Sequence, residues 1–346
     1  MDTRVNIFRI PLLVATIAAL AACGGGSDSA SSVVTSTPVI TSSPGATKVT
    51  TLSAGASPDV TAANCLILSA PILTAPEITG ADMQAVNNIL LAVDPAHGYS
   101  EFARLPATFM WWVRSNGNAV DMLSLGAAVH ETNHKIDSAL RNICNTDGLA
   151  RFFSNGQVHV TDISRNDILA NYSIAADAYP ATLKFSRSFR YDTYVTAAAL
   201  SSGNDLSILL DELNAYSGGA SLEAKLFSSP TYAALTTRAD ADTGGMADFM
   251  LFLQAYLKAV RQNSPVTYTK LQAQTRTKAF IQFAWTRAET ILIAVYPYST
   301  AAAAGNPVRI PLDVIRAVYS AEFLQELDML GISHKTPAEW APTYLK

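Results

Sequence analysis

The pentapeptide His130-Glu131-Thr132-Asn133-His134 constrains this chain more than any other feature, because its ionisable groups can act together only on a helix. On a helix, residues four apart project from one face with Cβ atoms about 5–6 Å apart. Two imidazoles at that spacing can each reach one zinc ion at about 2.0–2.1 Å. Glu131 then lies about a third of a turn away. That puts its carboxylate beside the ion's open position, where it can take a proton from water. With five histidines and nine glutamates among 346 residues, chance places this spacing in roughly one comparable sequence in five hundred. Leu125-Gly126-Ala127-Ala128-Val129 runs into the motif, and small and apolar residues continue to Leu140. A largely buried helix is therefore expected over about 119–143. Buried imidazoles and carboxylates need partners, and a metal would supply one.

The rest of the chain reads as mainly α with a small β-sheet, an α+β class. Apolar residues make up 49% and charged residues 15%, enough to fill a sizeable core. The formal charge is −4, and no block of Lys or Arg is present to neutralise a run of phosphates, which excludes nucleic acid as an expected partner. Helical spacing of Met83, Val86, Ile89, Leu90 and Val93 predicts a helix over 81–93. Phe109 to Val113 reads as a buried strand closed by Asn116-Gly117. Asn155-Gly156 between two apolar runs predicts a hairpin. A helix is expected from about Asp205 to Tyr216, with Asn204 as N-cap and Gly218-Gly219 as its stop. Amphipathic segments follow near 246–262, 268–296 and 311–330. Residues 279–296 are apolar but hold Arg287 and Glu289, which argues against a membrane span.

The N-terminus carries an address. Residues 1–22 hold Arg4 and Arg9 ahead of an apolar stretch too short for a bilayer, and so read as a signal peptide. Leu20-Ala21-Ala22-Cys23 resembles the lipobox of bacterial lipoproteins. The resemblance implies cleavage before Cys23 and lipidation of its thiol. Gly24 in place of Asp implies, by the same family's sorting rule, the outer membrane facing the periplasm. Residues 23–59 are rich in Gly, Ser, Thr, Ala and Pro and read as a flexible tether. The body is then 60–346, as one domain or as two lobes with a helical C-terminal part from about 220. Cys65 and Cys144 form an even pair that an oxidising periplasm favours as a disulfide, with two separate buried thiols as the other reading.

On its HExxH pentapeptide and the helix around it, the sequence resembles the zincin metallopeptidases. The resemblance implies a zincin-like core, with the motif helix below a small twisted sheet, and zinc (Zn2+) held by His130 and His134. A catalytic zinc needs a third protein ligand and a position left for water. No HxxGxxH extension follows His134, so the gluzincin pattern, with a glutamate on a later helix, is the one that fits. Glu212 suits that role within the apolar stripe Leu209-Leu210-Asp211-Glu212-Leu213, where an unpaired carboxylate would be costly. Glu223 and His159 are the alternatives. Gluzincins also use a tyrosine upstream of the third ligand to stabilise the oxyanion, which implies Tyr191 or Tyr194. Each of these has a plainer reading as a packing residue. Asp137, one turn beyond His134, is placed to orient an imidazole or to face solvent. Lys184, Arg187 and Arg190 alternate with Phe185 and Phe189 and could meet a substrate carboxylate, with a solvated basic face as the plainer reading. The function these features imply is zinc-dependent hydrolysis of a peptide or protein substrate at the cell envelope, with Glu131 as the base. The alternative is a non-catalytic zinc- or protein-binding lipoprotein.

Overall fold

A computed structural model describes residues 80–94, 100–116, 119–144, 147–164, 178–180, 189–196, 205–227, 241–301 and 312–336, together with Cys65, Leu183, Tyr232 and Glu339. The signal segment 1–22, Cys23, the tether 23–59, Lys184, Arg187 and Asn204 lie outside the described residues.

Helix α1 (Ala81–Val93) follows Gly80 and buries Val86 and Leu90. Helix α2 (Ser100–Arg104) leads into α3 (Pro106–Trp112). The strand expected over 109–113 is thus a helix. Pro106 sits in the first turn, where its fixed φ favours helix, and Phe109 packs edge-on against Phe102 at 5.2 Å. A five-residue apolar run carries no period that separates a strand from a buried helix.

Strand β1 (Ser115–Asn116) pairs antiparallel with β2 (Ala119–Val120). The long helix therefore starts later than 119. The Asp121 carboxylate accepts from the Leu123 N–H at 3.1 Å and opens a 3₁₀ turn. Helix α4 then runs Leu125–Asn142. Strands β3 (Leu149–Ser154) and β4 (Gln157–Ser164) form the expected hairpin, in register Ser154↔Gln157. Its turn takes positive φ at both Asn155 (49°) and Gly156 (77°), as a two-residue hairpin connection requires.

Helix α5 (Leu206–Leu226) is capped by Asp205, which accepts from the Ser207 N–H at 2.8 Å. It does not stop at Gly218-Gly219. Both glycines are buried where α5 crosses α4, and a Cβ on Gly218 would stand 3.1 Å from Val129 Cγ1. A glycine inside a helix costs about 0.5–1 kcal/mol relative to alanine, and the close approach it permits offsets that cost.

Among the described residues five further helices follow: α6 (Ala241–Asn263), α7 (Pro265–Ala273), α8 (Thr275–Ala301), α9 (Leu312–Val318) and α10 (Ala321–Leu330). The amphipathic segment near 268–296 is divided between two helices at Gln274, and that near 311–330 at Tyr319-Ser320. Helix α5 lies centrally, against α4, α6 and α8, while β3 packs on α4 and β4 on α8. One cluster of buried apolar side chains extends from Val86 to Ile332. It includes Leu206, Leu209, Leu210 and Leu213 of α5 and the Met246–Val260 stripe of α6. The architecture is mainly helical, with two small antiparallel strand pairs among the described residues.

A disulfide joins Cys65 to Cys144, just past the end of α4, with Cα atoms 5.3 Å apart. Closing a loop of 79 residues stabilises a fold by roughly 4 kcal/mol in the chain-entropy account. Among the described residues, no helix is long and apolar enough to cross a membrane.

Candidate metal centre

The rotation of α4 about its axis decides where the histidines point, and a buried polar ladder fixes it. Asn133 Nδ2 donates to the Phe153 carbonyl at 2.8 Å. Asn214 Nδ2, from α5, donates to that carbonyl at 2.8 Å, to Asn133 Oδ1 at 3.0 Å and to Asp137 Oδ2 at 3.1 Å. The Phe153 N–H donates to Asp137 Oδ1 at 2.5 Å. Behind the ladder, Ile136, Ala139 and Leu140 pack with Phe153 and Leu105. These contacts lock α4 to β3 and to α5 and turn the remaining face, with His130 and His134, toward Glu212.

There the three side chains converge. His130 Nε2 and His134 Nε2 are 3.0 Å apart. Glu212 Oε2 is 3.3 Å from His134 Nε2 and 3.9 Å from His130 Nε2. A tetrahedral ion with bonds of about 2.0–2.1 Å has ligand–ligand edges of about 3.3–3.4 Å. The observed triangle is close to one face of such a tetrahedron. All three residues are buried, and Glu212 Oε2 and His130 Nδ1 make no hydrogen bond. A buried oxygen left without a donor fits a site that takes a cation. The group His130, His134 and Glu212 can hold a metal ion.

Burial and the surrounding charges set the protonation of these groups. Burial, then the nearby charge of His134, holds His130 well below the ordinary imidazole range. Burial also acts to lower His134, but Asp211 and Glu212 outweigh it and raise the ring well above its ordinary value. Asp211 is the residue that orients this ring: its Oδ2 is 3.1 Å from His134 Nδ1. Burial pushes the Glu131 carboxyl up to about 7, with His134 opposing and Glu212 and Asp242 adding to the rise.

The other expected site residues fall in different places. Asp137 does not orient an imidazole. It is spent on the Phe153 N–H and on Asn214, and it backs Asp211 from behind. Glu223 is not part of the triad. Its Oε2 accepts from the Thr243 N–H and hydroxyl at 3.3 and 3.2 Å. His159 lies on β4 with its ring 4.3 Å from that of Phe283. Tyr191 packs against Tyr179 at 4.2 Å. Tyr194, in the turn Asp192–Thr196, is buried with its hydroxyl unbonded, and Glu212 and Tyr216 are near enough to add to the upward shift that burial gives its phenol. Arg190 is buried, with its Nε donating to the Tyr216 hydroxyl at 3.1 Å and its Nη1 3.3 Å from Asp248.

Sequence reasoning passed over Asp211, Tyr216 and Asp242. Asp211 was open to discovery as a second carboxylate in the same apolar stripe. Tyr216 follows Glu212 by one helical turn, and its ring meets that of His130 edge-on at 4.2 Å. Asp242 sits in Ala-Asp-Ala-Asp-Thr-Gly-Gly, which has no apolar period to mark it as buried. Comparison with protein-family models, with curated proteins and with solved structures finds no match to this chain.

Proposed function

We propose that the chain is a zinc-dependent peptidase of the bacterial cell envelope, anchored by lipid on Cys23 and facing the periplasm. The reading rests on one observation, the convergence of two imidazole nitrogens and one carboxylate oxygen with Glu131 beside them on the same helix. Two histidines and a glutamate suit zinc and leave a fourth position; the bound ion would polarise a substrate carbonyl and make water more acidic. Glu131, raised toward neutrality by its burial, is the base that takes a proton from the attacking water. It then gives that proton to the amine as the peptide C–N bond breaks. Tyr194 is the candidate donor to the oxyanion, since its hydroxyl is unbonded and near Glu212. The HExxH helix, the glutamate on a later helix and the hairpin packed on α4 support a gluzincin-like arrangement with a peptide or protein substrate.

A second reading, a non-catalytic zinc- or protein-binding lipoprotein, is favoured by the burial of the site. His130, Glu131, His134 and Glu212 are all at most 8% exposed. The mature protein tests both. It should carry about one zinc, fall to near none in His130→Ala, and cleave peptides in a manner stopped by chelator and restored by zinc. Zinc without cleavage across a broad set of peptides and proteins would favour the binding reading. No zinc at all would end the peptidase and zinc-binding readings and leave only protein binding.

A further inference from the structure

The two histidines of the cluster are not held alike. His134 Nδ1 has a partner at hydrogen-bond distance in Asp211, whereas His130 Nδ1 makes no hydrogen bond. What faces His130 Nδ1 is Asp242 Oδ1, at 3.6 Å, with both side chains buried. Asp242 comes from the first turn of α6, a third helix beyond the two that carry the cluster.

The neighbouring helices are cut away to admit it. A Cβ on Gly126 of α4 would stand 2.5 Å from Asp242 Oδ2 and 3.3 Å from Glu223 Oε1. A Cβ on Gly219 of α5 would run into the Asp242 carboxylate and come within 2.8 Å of the Gly126 carbonyl oxygen. A Cβ on Gly245 of α6 would collide with the Tyr216 ring, which packs against His130. Glycines on three helices therefore clear the space for the two groups that border His130. Glu223, anchored by Thr243, lines the same space beside Gly126.

We propose that Asp242 is the positioning residue of His130, accepting from its Nδ1–H when a divalent cation takes Nε2. A carboxylate in that place fixes the tautomer and the ring's orientation and makes the coordinating nitrogen more basic. The metal centre then depends on three helices, with Asp211 of α5 behind one histidine and Asp242 of α6 behind the other. This inference rests on the reading of His130, His134 and Glu212 as a metal site.

The test is zinc affinity of the mature protein, measured by competition with a chromophoric chelator, together with the visible spectrum of the cobalt-loaded protein. Asp242→Ala should bind zinc about 10–100-fold more weakly and shift the cobalt bands. Asp242→Asn keeps the size and one acceptor oxygen, so it should recover part of the loss. Gly126→Ala changes no charge but pushes on the carboxylate, and should weaken zinc binding as well. Glu326→Gln, which disturbs a remote pair with Arg261, should leave both readouts unchanged and controls for general loss of stability. Should Asp242→Ala fail to fold, the Asn and Gly126→Ala variants decide. The proposal is overturned if the folded Asp242 variants and Gly126→Ala bind zinc within twofold of the wild type with the same cobalt spectrum. A wild type that binds no zinc overturns the metal-site reading and this inference together, whereas a binding wild type with unaffected variants overturns the inference alone.

Discussion

At its N-terminal end α6 brings Asp242, Thr243 and Asp248 into a buried polar crossing with α4 and α5. At its C-terminal end the same helix buries Leu253, Leu257 and Val260 where it meets α9 and α10. The second crossing pairs its charges, the buried Glu326 as well as the exposed Glu322. Arg261 donates twice to Glu326, at 2.8 and 2.5 Å, and Lys258 Nζ donates to Glu322 at 2.6 Å. Its buried Gln254 donates to the Val318 carbonyl at 3.0 Å. At the first crossing Glu131, Glu212, Glu223 and Asp242 are buried close together, and burial raises Glu131, Glu223 and Asp242. Burying a carboxylate without a matched partner is costly. Stability explains the C-terminal end of α6. The N-terminal end buries carboxylates that stability alone does not explain, and the cation proposed above would compensate them.

Glu131 offers the sharpest way to break this contrast. Glu131→Gln keeps the shape but removes the base, and general-base assistance is worth about 10²–10⁴-fold. Peptidase activity should fall by that factor with zinc content unchanged. Glu212→Ala should act differently, losing zinc and, with it, the stabilisation that bound zinc provides. Zinc lost from Glu131→Gln but kept by Glu212→Ala would reverse the roles of the two glutamates.

Leu257→Ala tests the other end. Leu257 is fully buried, and removing such a side chain costs about 2–5 kcal/mol. Denaturant unfolding should show that loss, while the folded fraction keeps the zinc affinity of the wild type. Zinc binding that weakens in step with stability, measured where the variant is fully folded, would mean that the two ends of α6 are coupled.

The same contrast explains what could be read in the sequence. The apolar stripes of α1, α5 and α6 declared themselves because burial of Leu, Phe and Met at helical spacing has few other uses. Asn155-Gly156 declared its turn because few residue pairs accept two positive φ angles. His130, His134 and Glu131 stood out because a fixed spacing on one helix is local information. The pairing of α4 with Glu212 is not local, and only the apolar setting of Glu212 hinted at it. Gly218-Gly219 misled because a glycine pair reads as a helix stop, whereas here it makes room for a crossing helix. Asp242 was invisible, since its burial depends on glycines on α4 and α5. Phe109–Val113 failed for want of length, as Pro106 and the contact with Phe102 decided a segment with no period of its own.

A smaller effect follows from pH. Burial holds Glu131 and Asp242 at about 7, against ordinary values of 4.5 and 3.8. The folded metal-free chain thus binds these protons more tightly than the unfolded chain does. The stability they give is full below about pH 4 and is lost as pH rises to about 7. His134, raised by its carboxylate neighbours, works in the same direction above its ordinary 6.5, while His130, lowered by burial, works against it below 6.5. Metal-free protein should therefore melt at a lower temperature at pH 7.5 than at pH 5, by calorimetry. Zinc-loaded protein should show the opposite trend, since protons compete with the ion for the imidazoles. A metal-free melting temperature that climbs across this range would show that the carboxylates are already compensated within the fold.

The smallest effect belongs to the rim of the C-terminal crossing. Lys258 and Glu322 lie 2.6 Å apart, yet the Glu322 side chain is 60% exposed. Exposed pairs are worth about 0.2–1 kcal/mol, and salt screens them further. Glu322→Gln should therefore shift denaturant stability by no more than about 1 kcal/mol, less in high salt, with zinc affinity untouched. Lys258 also keeps its place over the Phe323 ring, 5.5 Å from the centroid, so the lysine stem stays packed when the carboxylate is neutralised. A loss several times larger would mean that this rim is shielded from solvent. The two ends of α6 would then differ only in whether their buried charges are paired, as Glu326 is by Arg261.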